Sequence, residues 1–392
     1  MCTQRRMDEQ LSMRLFYTEK SRGQSHGENQ RLVLFASYDY VDRSGWLNCH
    51  SSLIDNALAS AATALASAHR RIFFMKKHRL LVIATAALVG LTLIGCGKKS
   101  NAASSKTVKI GILQLIDQSA LTEARKGFVA ELAKAGYSGD RVKIDYVNAQ
   151  GDQANLKTMS DRLASDKNDV NLAIATPAAQ ALQQADKKTP MLFTAITDPK
   201  SAGLVTNPAK PDKNATGVTD LVAVAKQIDL LHQTFPEAKT VGLMYNAGEP
   251  NSVYQIKQAK ARLKQLGLRY QVRTAATTND VQQAAESLAK SVDALYLPAD
   301  NVMAAAMPTI GKVAKAQQIP VVPAASTMVQ DGGTITKGIN YRDLGKQTAK
   351  MAIKLLKGKT VKTLPVEKPA KVETVRNEAM LKAVKQTVKL PE

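Results

Sequence analysis

The 392-residue chain is poor in the residues that build metal centres, disulfides and hydrolytic triads: it holds three cysteines, one tryptophan and five histidines. Those few are gathered at one end. Cys2, Cys49, Trp46 and three histidines precede residue 75, Cys96 is the last cysteine, and His232 is the one histidine beyond it. The 296 residues after Cys96 therefore have no disulfide framework and no thiolate metal cluster. One histidine excludes a His-rich metal site and argues against a Ser-His-Asp triad. G-x-S-x-G, P-loop and H-E-x-x-H motifs are missing too, so an α/β enzyme would lack its nucleophile or its metal set. No cofactor or metal is expected.

Acidic residues are in the minority. From Cys96 onward 42 Lys+Arg stand against 26 Asp+Glu. The lysines are scattered among Ala, Gln and Asp, with no aromatic stacking platform or finger motif beside them, so nucleic acid is not the expected partner. Attraction to an anionic membrane or wall accounts for the charge more simply.

One long apolar run is present. Met75-Lys76-Lys77-His78-Arg79 leads into LLVIATAALVGLTLI, Leu80–Ile94, and then Gly95-Cys96. A basic patch followed by 15 apolar residues has the order of a secretory signal and falls short of the ~17–25 residues of a spanning helix. Leu93-Ile94-Gly95-Cys96 resembles a lipobox, which implies lipidation at Cys96, a signal peptide over 75–95 and a flexible tether over 96–105. A short membrane anchor behind a real domain is the alternative. Residues 1–74 show no apolar periodicity long enough for a core, and the expectation is an over-extended, disordered N-terminus with translation starting at Met75.

From Val108 short β-rich runs alternate with amphipathic stretches. VKIGILQL, VKIDYVNA, VNLAIAT and MLFTAI are expected strands, with helices over LTEARKGFVAELAKAG, NLKTMSDRLAS and AAQALQQAD. After a Pro- and Lys-rich loop the rhythm restarts with TVGLMYN, RYQVRTAA, DALYLPAD and VVPAAS. Strand, helix, strand at this spacing signals parallel α/β units with right-handed crossovers. Runs apolar throughout, such as VNLAIAT and DALYLPA, suit strands covered on both faces. Two such units joined near Ala215–Leu221 are the simplest account, and about 296 residues suit two domains.

In open α/β sheets ligands sit beyond the carboxyl ends of the strands. Those ends are Gln114–Ser119, Ala175–Ala179, Ile196–Pro199, Tyr245–Ser252 and Pro298–Asn301, all small or polar. Across a cleft between two lobes they would make a clamp.

GILQLIDQSALTEARKGFVAEL, ATPAAQAL, FTAITDPKSAGLV, NATGVTD, YNAGEPNSVYQIKQAK, LPADN and INYRDLGKQTAKMAIKLLKG, in this order, resemble the ABC-transporter substrate-binding proteins that take tryptophan and other aromatic amino acids. The resemblance runs from about Lys106 past Gly358. It implies a type I periplasmic-binding-protein fold: two Rossmann-like lobes joined by a three-strand hinge, with crossings near Gly217–Leu221, Asn340-Tyr341 and Lys357–Val366. Lobe 1 would hold residues 106–219 and 341–358, and lobe 2 residues 220–340 and 359–392. It further implies a monomeric, lipid-anchored, extracytoplasmic receptor that hands an α-amino acid to an ABC permease and its ATPase. A sensor lipoprotein, or a receptor for a branched-chain amino acid or nucleoside, is the alternative. Family members commonly carry His-Pro where this chain has Gln118-Ser119.

Thr176-Pro177-Ala178-Ala179 reads as an N-cap hydroxyl, a proline at N1 and free N–H groups suited to a ligand carboxylate. An ordinary capped helix is the plainer reading. Ser252 is the facing candidate from lobe 2. Asp300 is the candidate partner of a ligand ammonium, or else a plain N-cap. Asp198, in an Asp-Pro turn, is similar, and Thr197, Asn301, Asp117 and Ser119 complete the strand-end set.

Overall fold

The computed structural model describes residues 107–390. The expectations for residues 1–74, the signal segment 75–95, the lipidated Cys96 and the tether 96–105 lie outside the described residues. Among the described residues no helix is long and apolar enough to cross a membrane.

The first half of the chain runs β1 (Val108–Gln114), α1 (Ser119–Lys134), β2 (Val142–Asn148), α2 (Gln153–Ser165), β3 (Val170–Ile174), α3 (Thr176–Ala185), β4 (Met191–Ile196) and β5 (Ala215–Thr219). These strands make one parallel sheet in the order β2-β1-β3-β4-β5. Every residue of β3, β4 and β5 is buried, which is why these runs are continuous in apolar and small residues rather than alternating. Strand β2 lies at the edge and has no fully buried residue, so it tolerates Lys143 and Asp145.

The second half runs α4 (Val224–Thr234), β6 (Thr240–Tyr245), α5 (Pro250–Gln265), β7 (Arg269–Thr274), α6 (Val281–Ala289), β8 (Ala294–Leu297), α7 (Asn301–Ala305), α8 (Met307–Gln317), β9 (Val321–Pro323), α9 (Ser326–Gln330) and β10 (Ile335–Gly338). Its parallel sheet has the order β7-β6-β8-β9. The eight strands expected from periodicity are all present.

Helix α10 (Tyr341–Leu356) then returns to the first sheet and packs along α1. Two glycines make that crossing possible. A Cβ on Gly345 would stand 1.9 Å from the Ala124 carbonyl oxygen, and one on Gly127 would stand 2.0 Å from that of Arg342. Around this contact Leu121, Phe128, Leu344 and Ala352 are buried. The Thr348 hydroxyl lies 3.0 Å from that of Thr194, tying α10 to β4.

The third crossing falls later than expected. Residues 359–367, assigned to lobe 2 from the sequence, stay with the first sheet. Thr216 donates through its hydroxyl to the Leu364 carbonyl at 2.8 Å, Val366 N–H to Pro208 at 2.8 Å, and Glu367 N–H to Gly217 at 2.9 Å. These bonds satisfy the open edge of β5, and Glu367 bridges Val218 in parallel register. The chain crosses over 368–372 to β11 (Glu373–Arg376), which pairs antiparallel with β10, and α11 (Glu378–Lys382) follows. The other two crossings follow β5 at Asp220 and precede α10 at Asn340.

Candidate functional site

The strand ends of the two sheets meet at one crevice, and it is shut. Gln255 on α5 donates through Nε2 to the Thr197 hydroxyl beyond β4 at 3.1 Å. Gln118, before α1, reaches the Asn301 side-chain oxygen at 3.4 Å. Tyr254 on α5 lies close to Asp198, whose charge, after burial, helps raise the phenol pKa. Beneath these contacts lies a cavity of about 20 Å³, room for a single water. Its apolar wall is made of small residues, Ala120, Ala195, Ala304 and Ala325, with Leu121 and Met328.

Three buried acids surround the crevice. Asp220 is 8% exposed, Glu249 4% and Asp300 0%. None draws on a Lys or Arg, so burial dominates all three and pushes their pKa values up. Asp220 rises to about 6, with the hydroxyls of Tyr341 and Thr197 opposing the shift. Glu249 rises to about 8, through burial first and the neighbouring Asp300 second. Tyr341, at the start of α10, donates its hydroxyl to Asp220 Oδ2 at 3.1 Å. Asp220 Oδ1 is left without a partner; Thr197 approaches the carboxyl but does not reach that oxygen with hydrogen-bond geometry.

Glu249 and Asp300 are better supplied. Glu249 Oε2 accepts from the Asn301 backbone N–H at 3.1 Å, the Asn301 side-chain amide at 2.7 Å and that of Asn251 at 3.1 Å. Asp300 caps α7, accepting from Met303 N–H at 2.9 Å, and its second oxygen accepts from Asn246 N–H at 2.6 Å. The N-cap bond thus accounts for one oxygen of Asp300 and the Asn246 N–H for the other.

Of the ten strand-end candidates, Asp300 and Asn301 line the cavity. Ala178 and Ala179 are fully buried against the first sheet, and Thr176 on the same helix and Ser252 on α5 are buried too, 2% and 0% exposed. The cap of α3 is Ala175, not Thr176; Ala175 adopts φ +86°, ψ 154° and has no capping side chain, which moves Thr176 and Pro177 one position into the helix. The reason is that Ala175 N–H continues the sheet to Thr194 while its carbonyl already accepts from Ala179, so one residue must turn abruptly. Ala195, which lines the cavity, also has positive φ, +56°, at a register shift of β4 against β5. Two alanines in sparsely populated backbone regions at neighbouring strand ends mark the rim of the site. Asp117 is exposed and accepts from Thr122, Ser119 is exposed, Thr197 receives Gln255, and Asp198 closes its own turn on Lys200 N–H at 3.0 Å.

Gln118, Asp220, Asn251 and Tyr341 are cavity residues that strand-end reading did not select. Gln118 and Asn251 fall inside the stretches read as strand ends. Asp220 follows a strand read as a joint, and Tyr341 opens a helix from the far end of the chain.

A pair of parallel α/β lobes closed over a crevice lined by buried polar groups defines a two-lobed solute receptor of the type I periplasmic-binding-protein fold. The family model described as ABC transporter substrate binding protein matches residues 109–392, and the chain belongs to that family. It is the extracytoplasmic substrate-binding component of an ABC importer, not an enzyme. The tyrosine-binding protein of Clostridioides difficile (strain R20291) is 36% identical over 321 residues, 79% of this chain and 93% of that one. A domain from Streptococcus pneumonia solved in complex with L-Trp is 36% identical, with TM-score 0.70, over 73% of this chain and 96% of that one. A ligand-free, open substrate-binding protein with adhesive properties from Clostridium difficile is 40% identical, with TM-score 0.57, over 73% and 97%. The open structure is closer in sequence and further in shape, as befits lobes that are shut here.

Proposed function

We propose that this protein binds an aromatic amino acid, tyrosine or tryptophan, between its lobes and delivers it to an ABC permease and its ATPase, acting as a monomer tethered through a lipid on Cys96. The observation that carries the reading is the likeness, at 36% identity in each case, to a tyrosine-binding protein and to a domain complexed with L-Trp. The alanine-rich wall supports it, since small residues leave the width that a ring needs once the lobes part. Parting is required: a cavity of about 20 Å³ admits no amino acid. Ligand capture is therefore a hinge motion about the three crossings.

The strand-end residues of lobe 1, Asp117, Ser119, Thr176, Ala178, Ala179, Thr197 and Asp198, and Ser252, Asp300 and Asn301 of lobe 2, are proposed to frame this site. Three of them have a defined part in it: Thr197 and Asn301 engage the opposite lobe, and Asp300 holds the loop that carries Asn246.

A thermal-shift and calorimetric screen of the amino acids tests the reading. At ~100 times Kd a ligand adds about 2.7 kcal/mol of stability, enough to raise Tm by several degrees. Tyrosine or tryptophan should give the largest shift. Stabilisation by a branched-chain amino acid or a nucleoside instead, with none from aromatics, would overturn it.

A further inference from the structure

Two oxygen atoms in the crevice are buried and have no hydrogen-bond donor: Asp220 Oδ1 and Asn251 Oδ1. Their side chains are 8% and 6% exposed, and both residues line the same cavity. They come from different lobes. Asp220 directly follows β5 and is held to the first sheet by its N–H bond to Ile196, and Asn251 sits in the first turn of α5 beside the second sheet. Buried acceptors without donors are uncommon in folded proteins, and an unpaired carboxylate oxygen is the more costly kind.

The orientation of the Asn251 amide is set by its surroundings. Its Nδ2 faces Glu249 Oε2 at 3.1 Å and the Ala299 carbonyl at 2.9 Å. Turning the amide over would set its oxygen against two acceptors, so Oδ1 must be the atom left bare. Asp220 is fixed with equal firmness. Its N–H donates to the Ile196 carbonyl at 3.1 Å, and Oδ2 takes the Tyr341 hydroxyl at 3.1 Å, which aims Oδ1 away from both.

Two bare acceptors, one of them an acid, call for a compact cation with several N–H donors. Asp300 is the weaker candidate, because Met303 and Asn246 N–H groups already occupy its oxygens. We propose that Asp220 and Asn251 together receive the α-ammonium group of the bound ligand, one acceptor from each lobe. This rests on the amino-acid reading above and names its recognition element. It also explains why a ligand would close the protein. An ammonium seated on Asp220 alone lacks its second acceptor until the other lobe swings in with Asn251, so the favourable bond to Asn251 forms only once the lobes, having parted to admit the ligand, come together around it.

The test compares each aromatic amino acid with its des-amino analogue, 3-(4-hydroxyphenyl)propionate for tyrosine and indole-3-propionate for tryptophan. Calorimetry is run on the full chain, wild type and Asp220→Asn, which keeps size and shape, with Asn251→Ala as a second variant should the first fail to fold. Removing one partner of a buried charged hydrogen bond costs at least about 30-fold in affinity. The wild type should prefer the amino acid by that factor or more, and Asp220→Asn should collapse the preference by weakening the amino acid and leaving the analogue nearly unchanged. Asn251→Ala should reduce the preference in the same sense by a smaller factor. A preference that survives Asp220→Asn would overturn the assignment and leave the aromatic reading standing. Binding of a non-aromatic amino acid with the same sensitivity would support the assignment and overturn the aromatic reading. If no α-amino acid binds the wild type, both fall.

Discussion

Gln255 is held at both ends of its amide, its Oε1 accepting from Ala299 N–H at 3.1 Å within the second lobe and its Nε2 donating to Thr197 at 3.1 Å across the crevice. The Ala299 bond, and a second from Nε2 to the Asn251 carbonyl at 3.3 Å, lie within the second lobe, so the amide is pre-aimed before it meets the first. A strut that spends little entropy on ordering converts most of its hydrogen bond into closure. Gln118 to Asn301, longer at 3.4 Å, and Tyr254 with Asp198 flank it.

Gln255→Ala should therefore weaken closure more than folding. Losing one hydrogen bond of roughly 1 kcal/mol is expected to lower ligand affinity about 5-fold, mainly through faster release. Stopped-flow dissociation and small-angle scattering of the liganded protein check this. An unchanged release rate would remove Gln255 from the latch.

The acids make stability depend on pH in a defined direction. Glu249 ionises near 4.5 when unfolded and near 8 when folded, because burial and Asp300 disfavour its charge. Below the lower value both states hold the proton and stability is fully present. Between the two values the folded protein keeps a proton that the unfolded chain has released, so stability declines as pH rises through this window. The ligand-free protein should melt lower at pH 8 than at pH 5, and Glu249→Gln should flatten that slope. Asp220 and Asp300 shift the same way, so the variant reduces the slope without abolishing it.

The crossing of α1 and α10 depends on two absent methyl groups. Gly345→Ala would place Cβ against the Ala124 carbonyl, a backbone atom that no side-chain rotation can relieve. The helices must separate, at a cost of about 1–3 kcal/mol or more. Chemical denaturation should show a lowered midpoint with an unchanged slope. Gly203→Ala, with φ +73° and open space around its Cβ, is a control in which backbone strain acts without a clash.

Trp46 is the sole tryptophan of the chain. Protein beginning at Cys96 should be almost silent when excited at ~295 nm, where tryptophan dominates absorption. Bound L-tryptophan would then report on itself, its emission shifting to the blue as the lobes exclude water. No shift at saturating ligand would mean that the ring stays wet, against an interlobe seat.

Much of this architecture is legible in the sequence because it rests on short-range patterning. VNLAIAT and DALYLPA read as buried strands since a sheet covered on both faces demands apolar residues in succession, and β3 and β8 are indeed buried throughout. Glycine just past a helical stretch is a local stop signal of the same kind, and Gly136 and Gly267 each take the positive φ that ends a helix. Strand ends could be located, and with them Asp300 and Asn301. What local patterning could not reveal is which acid would be left wanting. Asp220 looks like any residue in a joint, and Asp300 looks like a free acid before a helix. Their difference depends on Asn246 and Met303 N–H groups reaching one of them, while only the Tyr341 hydroxyl, 121 residues away, reaches a single oxygen of the other. The later third crossing has the same origin, because residues 359–367 stay with β5 to satisfy an edge formed 148 residues earlier. Apolar periodicity is written along the chain, whereas the satisfaction of a buried polar atom is settled by segments distant in sequence that meet only when the lobes have folded.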